Sequence, residues 1–345
     1  MGAYDFNFDL PAGESFAPTP ERVAAYAKLL PKDNFGFAPR VTDRDAWDKW
    51  QEDPFGQYVL SEARRLAKEP TPELTDDAFN RCLDDDSVTE INVLIPAVRE
   101  RNTVFLLAEA IFDQGEFLKV IESDARQLGQ LGTWIHPGND LDRKNLRRET
   151  FDNDLGSCHH AVNFAQFYYI LGPRLSEDFR NYLSSEVDRR FFSPLRNRIE
   201  AERDIDWWLI VKHNWNPVCL SCYAHAAAAM LPRVQDRAWW FAFAEMHTYN
   251  FTDGFADDGL CTEASPTGVT AFRTTSLSLK LSVKARATSS ICSTPPKRDA
   301  SRVSLIVRKS NPVSGPRSAT ASSMPNRWSG PACGSTIASR VNPTS

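Results

Sequence analysis

The stretch Val218–Asn250 reads VCLSCYAHAAAAMLPRVQDRAWWFAFAEMHTYN, two apolar runs of helical spacing separated at Leu231-Pro232. On each side of the break apolar residues recur every three or four positions, which predicts helix rather than strand. The alanines of the first run carry the highest intrinsic helix propensity. Pro232 lacks a backbone donor and ends that run, so the pair reads as a helical hairpin. Outward from it the same spacing predicts helices over Ser176–Ile199, Leu155–Leu171, Glu116–Leu131, Val88–Asp113, Gln57–Lys68 and Glu21–Leu30. Gly172-Pro173 and His136-Pro137-Gly138-Asn139 supply turns between them. Pro96 and Pro194 predict a kink or a break inside their segments. The expectation is an all-α chain of helical hairpins; a bundle, a repeat array and a toroid all fit the periodicity, and no repeated sequence unit selects among them.

A chain of 345 residues suits two domains or one large helical domain. Its 42% hydrophobic and 25% charged content is that of a soluble globular protein. No apolar run reaches the length of a membrane span. The start, MGAYDFNFDLPAGESF, has neither the basic nor the apolar part of a signal peptide. The seven cysteines lack the regular spacing of a disulfide framework. The net charge of -5 conceals two unlike parts. Of the 40 basic and 45 acidic residues, positions 264–345 hold 12 and one (Asp299), which leaves 28 and 44 for positions 1–263. Phe272 and Trp328 are the only aromatics of the later part, which is rich in Ser, Thr and Pro. A segment so poor in large apolar side chains builds no core of its own. The expected organisation is a helical domain over 1–263 and an unstructured tail over 264–345.

His213-Asn214-Trp215-Asn216-Pro217 lies immediately before the Ala-rich run. Its asparagines can cap a helix; alternatively, two amides and an imidazole at a helix mouth can hold a carboxylate or a developing oxyanion. Asp257-Asp258-Gly259 is either a turn or a carboxylate pair for glycoside hydrolysis. Cys219 and Cys222 have redox-motif spacing but stand on a helix, so they read as small core residues. His225 and His247 lie in apolar runs and read as core residues, and no histidine has metal-ligand spacing, so no metal or other cofactor is expected. Among the nine tryptophans, Trp207, Trp208 and Trp215 surround Asn214, where aromatic faces would suit a sugar.

Taken in order, Asn153-Asp154-Leu155-Gly156, Tyr168-Tyr169-Ile170-Leu171-Gly172, Trp207-Trp208, His213-Asn214-Trp215-Asn216-Pro217-Val218-Cys219 and Asp258-Gly259-Leu260-Cys261-Thr262-Glu263 resemble the heparinase II/III-like polysaccharide lyases over about 152–263. The resemblance implies an incomplete (α/α) toroid and β-elimination on an acidic polysaccharide or oligosaccharide. Such a reaction needs a base for the weakly acidic C5 proton of a uronate, and a group that neutralises the carboxylate. By resemblance, Asn214 and Asn216, with His213 beside them, stand where the carboxylate-binding amide is expected. Glu263 matches the acid that opens the family's Glu-Gly-x-x-Tyr-Trp-like motif. Trp207, Trp208, Trp215 and Lys212 are the expected substrate-binding residues, and the Arg143–Arg148 stretch is a further source of positive charge. Relatives acting on polysaccharides are usually exported, although no leader is visible at this start.

After Glu263 the family's Tyr motif is missing. Reading each codon one base out, Thr267 through Phe272 permit Tyr-Trp-Gly-Tyr-Gly-Phe, and Thr274 through Ser293 permit a helical text ending in Gly. The expectation is therefore a base lost at or just after the Glu263 codon. On that reading the later toroid helices are missing and the chain as written is catalytically inactive. The rival readings are a toroid glycoside hydrolase using Asp257 or Asp258 with Glu263, and a non-catalytic carbohydrate-binding or degenerate product. For the tail, the rival is a natural basic Ser/Pro-rich segment that binds nucleic acid or an acidic partner; on the lyase reading no nucleic acid is expected.

Overall fold

The computed structural model describes residues 15–84, 88–203 and 205–254. The expected tail over 264–345, and Asp257, Asp258 and Glu263 with it, lie outside the described residues. Among the described residues the chain is helical without a strand. In order, the helices are α1 (Pro20–Leu29), α2 (Arg44–Trp47), α3 (Pro54–Leu66), α4 (Asp76–Asp84), α5 (Val88–Phe112), α6 (Leu118–Gln130), α7 (Leu155–Ile170), α8 (Glu177–Val187), α9 (Ser193–Ala201), α10 (Trp215–Met230) and α11 (Val234–Thr252).

Local chemistry explains most boundaries. Thr19 and Asp53 cap α1 and α3 by accepting from Arg22 N and Phe55 N, and each helix opens with proline in its first turn. Asp154 and Ser157 close a capping box at the start of α7. Ser176 accepts from Phe179 N at the start of α8, with Glu177 and Asp178 on the positive end of the dipole. Two prolines behave differently. Pro194 stands in the first turn of α9, and a five-residue π turn, Asp188–Phe192, separates it from α8, so the single helix expected over Ser176–Ile199 is two. Pro96 lies inside α5, which continues across it. Helices α2 and α4 were not expected; each is short, and α4 carries only three buried residues, Ala78, Phe79 and Cys82.

The packing order is α1 on α11, α11 on α10, α10 on α7 and α7 on α5, with α3 and α4 against α5. Helices α6 and α8 touch each other behind α5 and α7. Segment 31–44 fixes the direction of the central helices. Asn34 Nδ2 donates to Ala229 O (2.7 Å) and Phe35 N to Ala228 O (2.8 Å) at the end of α10. Val41 N donates to Ile170 O (2.8 Å) at the end of α7. Arg44 Nη1 and Nη2 donate to Ala110 O (2.9 Å) and Ile111 O (2.6 Å) at the end of α5. Three helices thus end at one level, their orphan carbonyls satisfied by one crossing segment. At the opposite level His136 links Asn92 of α5 (3.2 Å) to Asp154 at the start of α7 (2.7 Å). Helices α5, α7 and α10 therefore run parallel. Gly36 lets the segment pass over α7, since a Cβ there would lie 2.3 Å from the Tyr169 ring.

A line of aromatic rings fills the core from the π turn to the N-terminal segment. Phe191 stacks on Tyr223 (3.7 Å, 5° between planes), Tyr223 on Trp240 (4.7 Å) and Trp239 on Phe243 (5.1 Å); Phe243 meets His247, which stacks on Phe16 (5.9 Å). Each such pair adds about 0.5–1.5 kcal/mol beyond the area it buries. Two buried arginines tie loops to this frame. Arg237 donates to Leu231 O, Pro232 O, Pro31 O and Lys32 O, and Arg190 donates to Gly129 O, Leu131 O and Gly132 O.

Arg101 and Asp124 join α5 to α6 through a fully buried ion pair (2.6 Å), with Thr71 donating to the second carboxylate oxygen. Asp124→Ala is expected to cost about 3–5 kcal/mol, because it leaves a buried guanidinium without its counter-charge. The double variant Arg101→Met, Asp124→Leu is expected to recover most of that loss in urea unfolding, which would distinguish an unpaired charge from lost packing.

Candidate functional site

Because α7 and α10 are parallel and have 16 residues each, their N-terminal ends share one level of the molecule, opposite segment 31–44, while the 25-residue α5 runs past it. This end carries the positive poles of two helix dipoles, those of α7 and α10. It also carries the residues singled out in the sequence: Asn153-Asp154 at α7 and His213-Asn214 at α10.

Asn214 occupies the N-cap position of α10 with φ −54° and ψ −27°, already helical, and its side chain makes no capping bond. The capping alternative for this asparagine is therefore not realised. Trp207 and Trp215, both half-buried, meet at 4.7 Å with 42° between their rings, and the His213 ring lies 5.9 Å from Trp207. Lys212 is exposed, and its backbone runs against Gly254 just beyond α11. Asn250 Nδ2 donates to Leu209 O (2.8 Å), tying α11 to the same loop. His213, Asn214, Trp207, Trp215 and Lys212 thus form one partly open group at the entrance of α10.

Two expected members are elsewhere. Asn216 is fully buried, and its amide donates to Leu209 O (2.8 Å) and Trp208 O (3.4 Å). It fastens the 3-10 turn Trp207–Leu209 to the first turn of α10 and presents nothing to a ligand. Trp208 is fully buried against Tyr223 (6.0 Å), so it is core and not a platform for sugar. The physical reason is shared: residue 216 falls on the face of α10 that meets the preceding loop, and of two adjacent tryptophans in a tight turn only one can face outward. The Arg143–Arg148 stretch is also corrected. Arg143 pairs with Asp84 of α4, Lys144 with Asp142 and Arg147 with Glu149, while Arg148 donates to Gln130 O (2.9 Å) at the end of α6, so each of these side chains already has a partner within the protein.

Asp154 organises this end more than the sequence suggested. Oδ1 accepts from Ser157 N (2.8 Å), and Oδ2 accepts from His136 N (2.7 Å) and Asn139 Nδ2 (2.9 Å). Asp206 and Arg198 form a buried ion pair (2.7 Å) beneath the Trp207–Leu209 turn. Neither role is legible from residue type, because both depend on which loop returns to the helix.

The cysteines on α10 behave as core residues: Cys219 and Cys222 are free and buried, with Cys158 of α7 near both. Burial pushes the Cys158 and Cys219 thiols up, which leaves them protonated and unreactive. Among the described residues no group of three His, Cys, Asp or Glu side chains is placed to hold a metal ion. None of the described helices is long and apolar enough to cross a membrane. No protein-family model matches the chain, and no curated protein matches it.

His247 donates from Nε2 to Phe16 O (2.8 Å), and burial pulls its pKa down to about 4. His160, 6.0 Å from Trp134, is pulled down to about 3, by burial first and then by the charges of His159, Arg99 and Arg190. Both rings are neutral in the fold, whereas the unfolded chain protonates them below about pH 6.5. Unfolding therefore takes up protons on the acid side, and stability declines from pH 6.5 downward by about 1.4 kcal/mol per pH unit for each ring. His247→Gln keeps a donor for Phe16 O and removes one titration. The urea-midpoint slope between pH 6 and pH 5 is expected to be shallower in that variant by one proton's worth.

Proposed function

We propose that the helical body is a partial (α/α) toroid of the heparinase II/III-like kind, whose α10 entrance binds an acidic polysaccharide or oligosaccharide. The observation that carries this reading is the partly open group Trp207, His213, Asn214 and Trp215 at the level where the parallel helices α7 and α10 begin. Two tilted indoles give apolar faces for a pyranose ring, the amide and imidazole give polar contacts, and the helix poles favour an anion. The alternation of parallel α5, α7 and α10 with returning α6, α8 and α11 supports the toroid, since a closed ring of hairpins repeats that alternation.

In the elimination itself, Asn214 with His213 would hold the uronate carboxylate and favour loss of the C5 proton. The base is the weak point. The family's Tyr does not occur after Glu263 in the chain as written, and loss of a general base typically lowers the rate about 10²–10⁴-fold. The proposal is therefore a protein that binds acidic sugars and does not cleave them.

The test compares this chain with one carrying a single base inserted after the Glu263 codon, on a panel of uronic-acid polysaccharides. Formation of an ultraviolet-absorbing unsaturated product is expected with the restored chain alone. Equal activity in the two chains would show that the altered segment is not catalytic, and activity in neither, without binding, would remove the lyase reading. Trp215→Ala is expected to weaken oligosaccharide binding roughly tenfold in calorimetry, the equivalent of one good aromatic contact.

A further inference from the structure

Exposed apolar side chains gather on one part of the surface, away from the α10 entrance. Among the described residues, Phe37, Trp50, Phe55, Tyr58, Val93 and Leu141 are the large apolar side chains that stand exposed. Three of them, Trp50 (38% exposed), Phe55 (46%) and Tyr58 (54%), lie within positions 50–58. They belong to the 3-10 turn Asp48–Trp50 and the first turns of α3, which pack on α5, so α5 and α7 intervene between them and α10. Single exposed apolar residues are ordinary, whereas a contiguous patch rimmed by polar groups marks a binding surface.

Local structure holds the three rings in place. The Trp50 and Phe55 centroids are 6.0 Å apart with 73° between the planes. Phe55 and Tyr58 are three residues apart on α3 and share a face. Gly56 makes the close approach of turn and helix possible, because a Cβ there would lie 1.8 Å from Trp50 O. Asp53 caps α3 at Phe55 N (2.8 Å) and Gln57 Nε2 donates to Gln51 O (2.5 Å), so turn and helix form one unit. The rings are ordered before any ligand arrives, which lowers the entropic cost of binding.

The charges around the rings select the ligand class. Residues 48–58 hold four charged side chains, Asp48, Lys49, Glu52 and Asp53. Asp48 accepts from Arg44 Nη2 (2.7 Å) and Gln51 Nε2 (2.9 Å), and Asp53 is the helix cap. Lys49, whose ammonium lies 5.7 Å from the Trp50 ring, and Glu52 remain, both exposed and of opposite sign. The patch therefore offers no net charge to a polyanion or a polycation. Lys49, Glu52 and the Tyr58 hydroxyl do offer donors and acceptors together, which sugar hydroxyls can use in both senses. Aromatic faces bordered by such groups suit pyranose rings, which carry an apolar C–H face and a polar edge. Trp50 and Phe55 face in two directions. A flat ribbon of sugar residues covers only one of them, whereas a curved chain turns each residue relative to the last.

We propose that Trp50, Phe55 and Tyr58 form a surface binding site for a neutral, curved gluco-oligosaccharide of the kind that maltohexaose represents. This goes beyond the acidic-sugar reading of the α10 entrance and shares no residue with it.

The test is calorimetric titration of the full chain with maltohexaose, cellohexaose, hexagalacturonate and hexalysine. Maltohexaose is expected to bind, and cellohexaose to bind about tenfold more weakly. Trp50→Ala and Tyr58→Ala are each expected to weaken maltohexaose about tenfold with an unchanged melting temperature, since both side chains are exposed. Leu141→Ala, at an exposed apolar residue elsewhere, leaves maltohexaose binding unchanged. Absence of maltohexaose binding, or unaltered binding in either ring variant, overturns the site; cellohexaose binding as tightly as maltohexaose overturns the curved chain as its ligand. Hexagalacturonate or hexalysine binding that is lost in Trp50→Ala overturns the neutral ligand class. Self-association in sedimentation that Trp50→Ala abolishes overturns the site in favour of a second copy of the chain. The maltohexaose titration is independent of turnover and of the α10 entrance, so failure of the lyase reading and failure of this site are separately visible.

Discussion

Segment 31–44 satisfies the last carbonyls of three parallel helices, and the rest of the architecture depends on that contact. Orphan carbonyls at a helix end must find donors. Parallel packing places three such ends side by side, where water alone would otherwise serve them. Asn34, Phe35, Val41 and Arg44 supply the donors in sequence along one strip of chain. Arg44 also brings positive charge to the negative pole of α5, and Arg40 brings it to that of α7, over Tyr169 at 4.2 Å. Arg237 holds the beginning of the strip by its carbonyls, so the N-terminal and C-terminal parts of the described chain are fastened at the same place.

The consequence for function lies at the other end. Aligned C-termini bring together the starts of the equally long α7 and α10, and there the entrance of α10 is more open than the core around it. Asn216 and Trp208 build the floor, and the half-buried Trp207, His213, Asn214 and Trp215 stand on it. A hydrogen bond from a fully buried asparagine to the turn carbonyls is a rigid support. On α5 and α7, Asn102 and Asn163 hold amide atoms buried without partners, which a protein core ordinarily avoids. Beneath the α10 entrance, Asn216 Oδ1 and Trp208 Nε1 are likewise buried without hydrogen-bond partners.

Much of this was legible in the residues, for identifiable reasons. Long apolar periodicity located α5, α6, α7, α10 and α11, because a helix of that length must bury a face and repeats it every three or four residues. Ser176 and the prolines marked entrances through local chemistry. Helices α2 and α4 escaped notice because they are short and owe their form to tertiary contact. The cysteines of α10 were correctly read as core. Asn214 was placed at the helix entrance, but the same motif could not distinguish it from Asn216, two residues on, since the two differ only in the face they present.

The sequence by itself determined that this chain is helical, where its main helices lie, and that its charge and aromatic character change after residue 263. These are local or compositional properties, set by propensity, periodicity and capping. Only the tertiary structure decided that α5, α7 and α10 run parallel, and that Trp208 and Asn216 are internal. Each of those depends on contacts between residues far apart in the chain, such as Phe35 with Ala228 or Arg44 with Ala110. Periodicity specifies which face of a helix is apolar; it carries no information about which other helix will cover that face, or in which direction it will run.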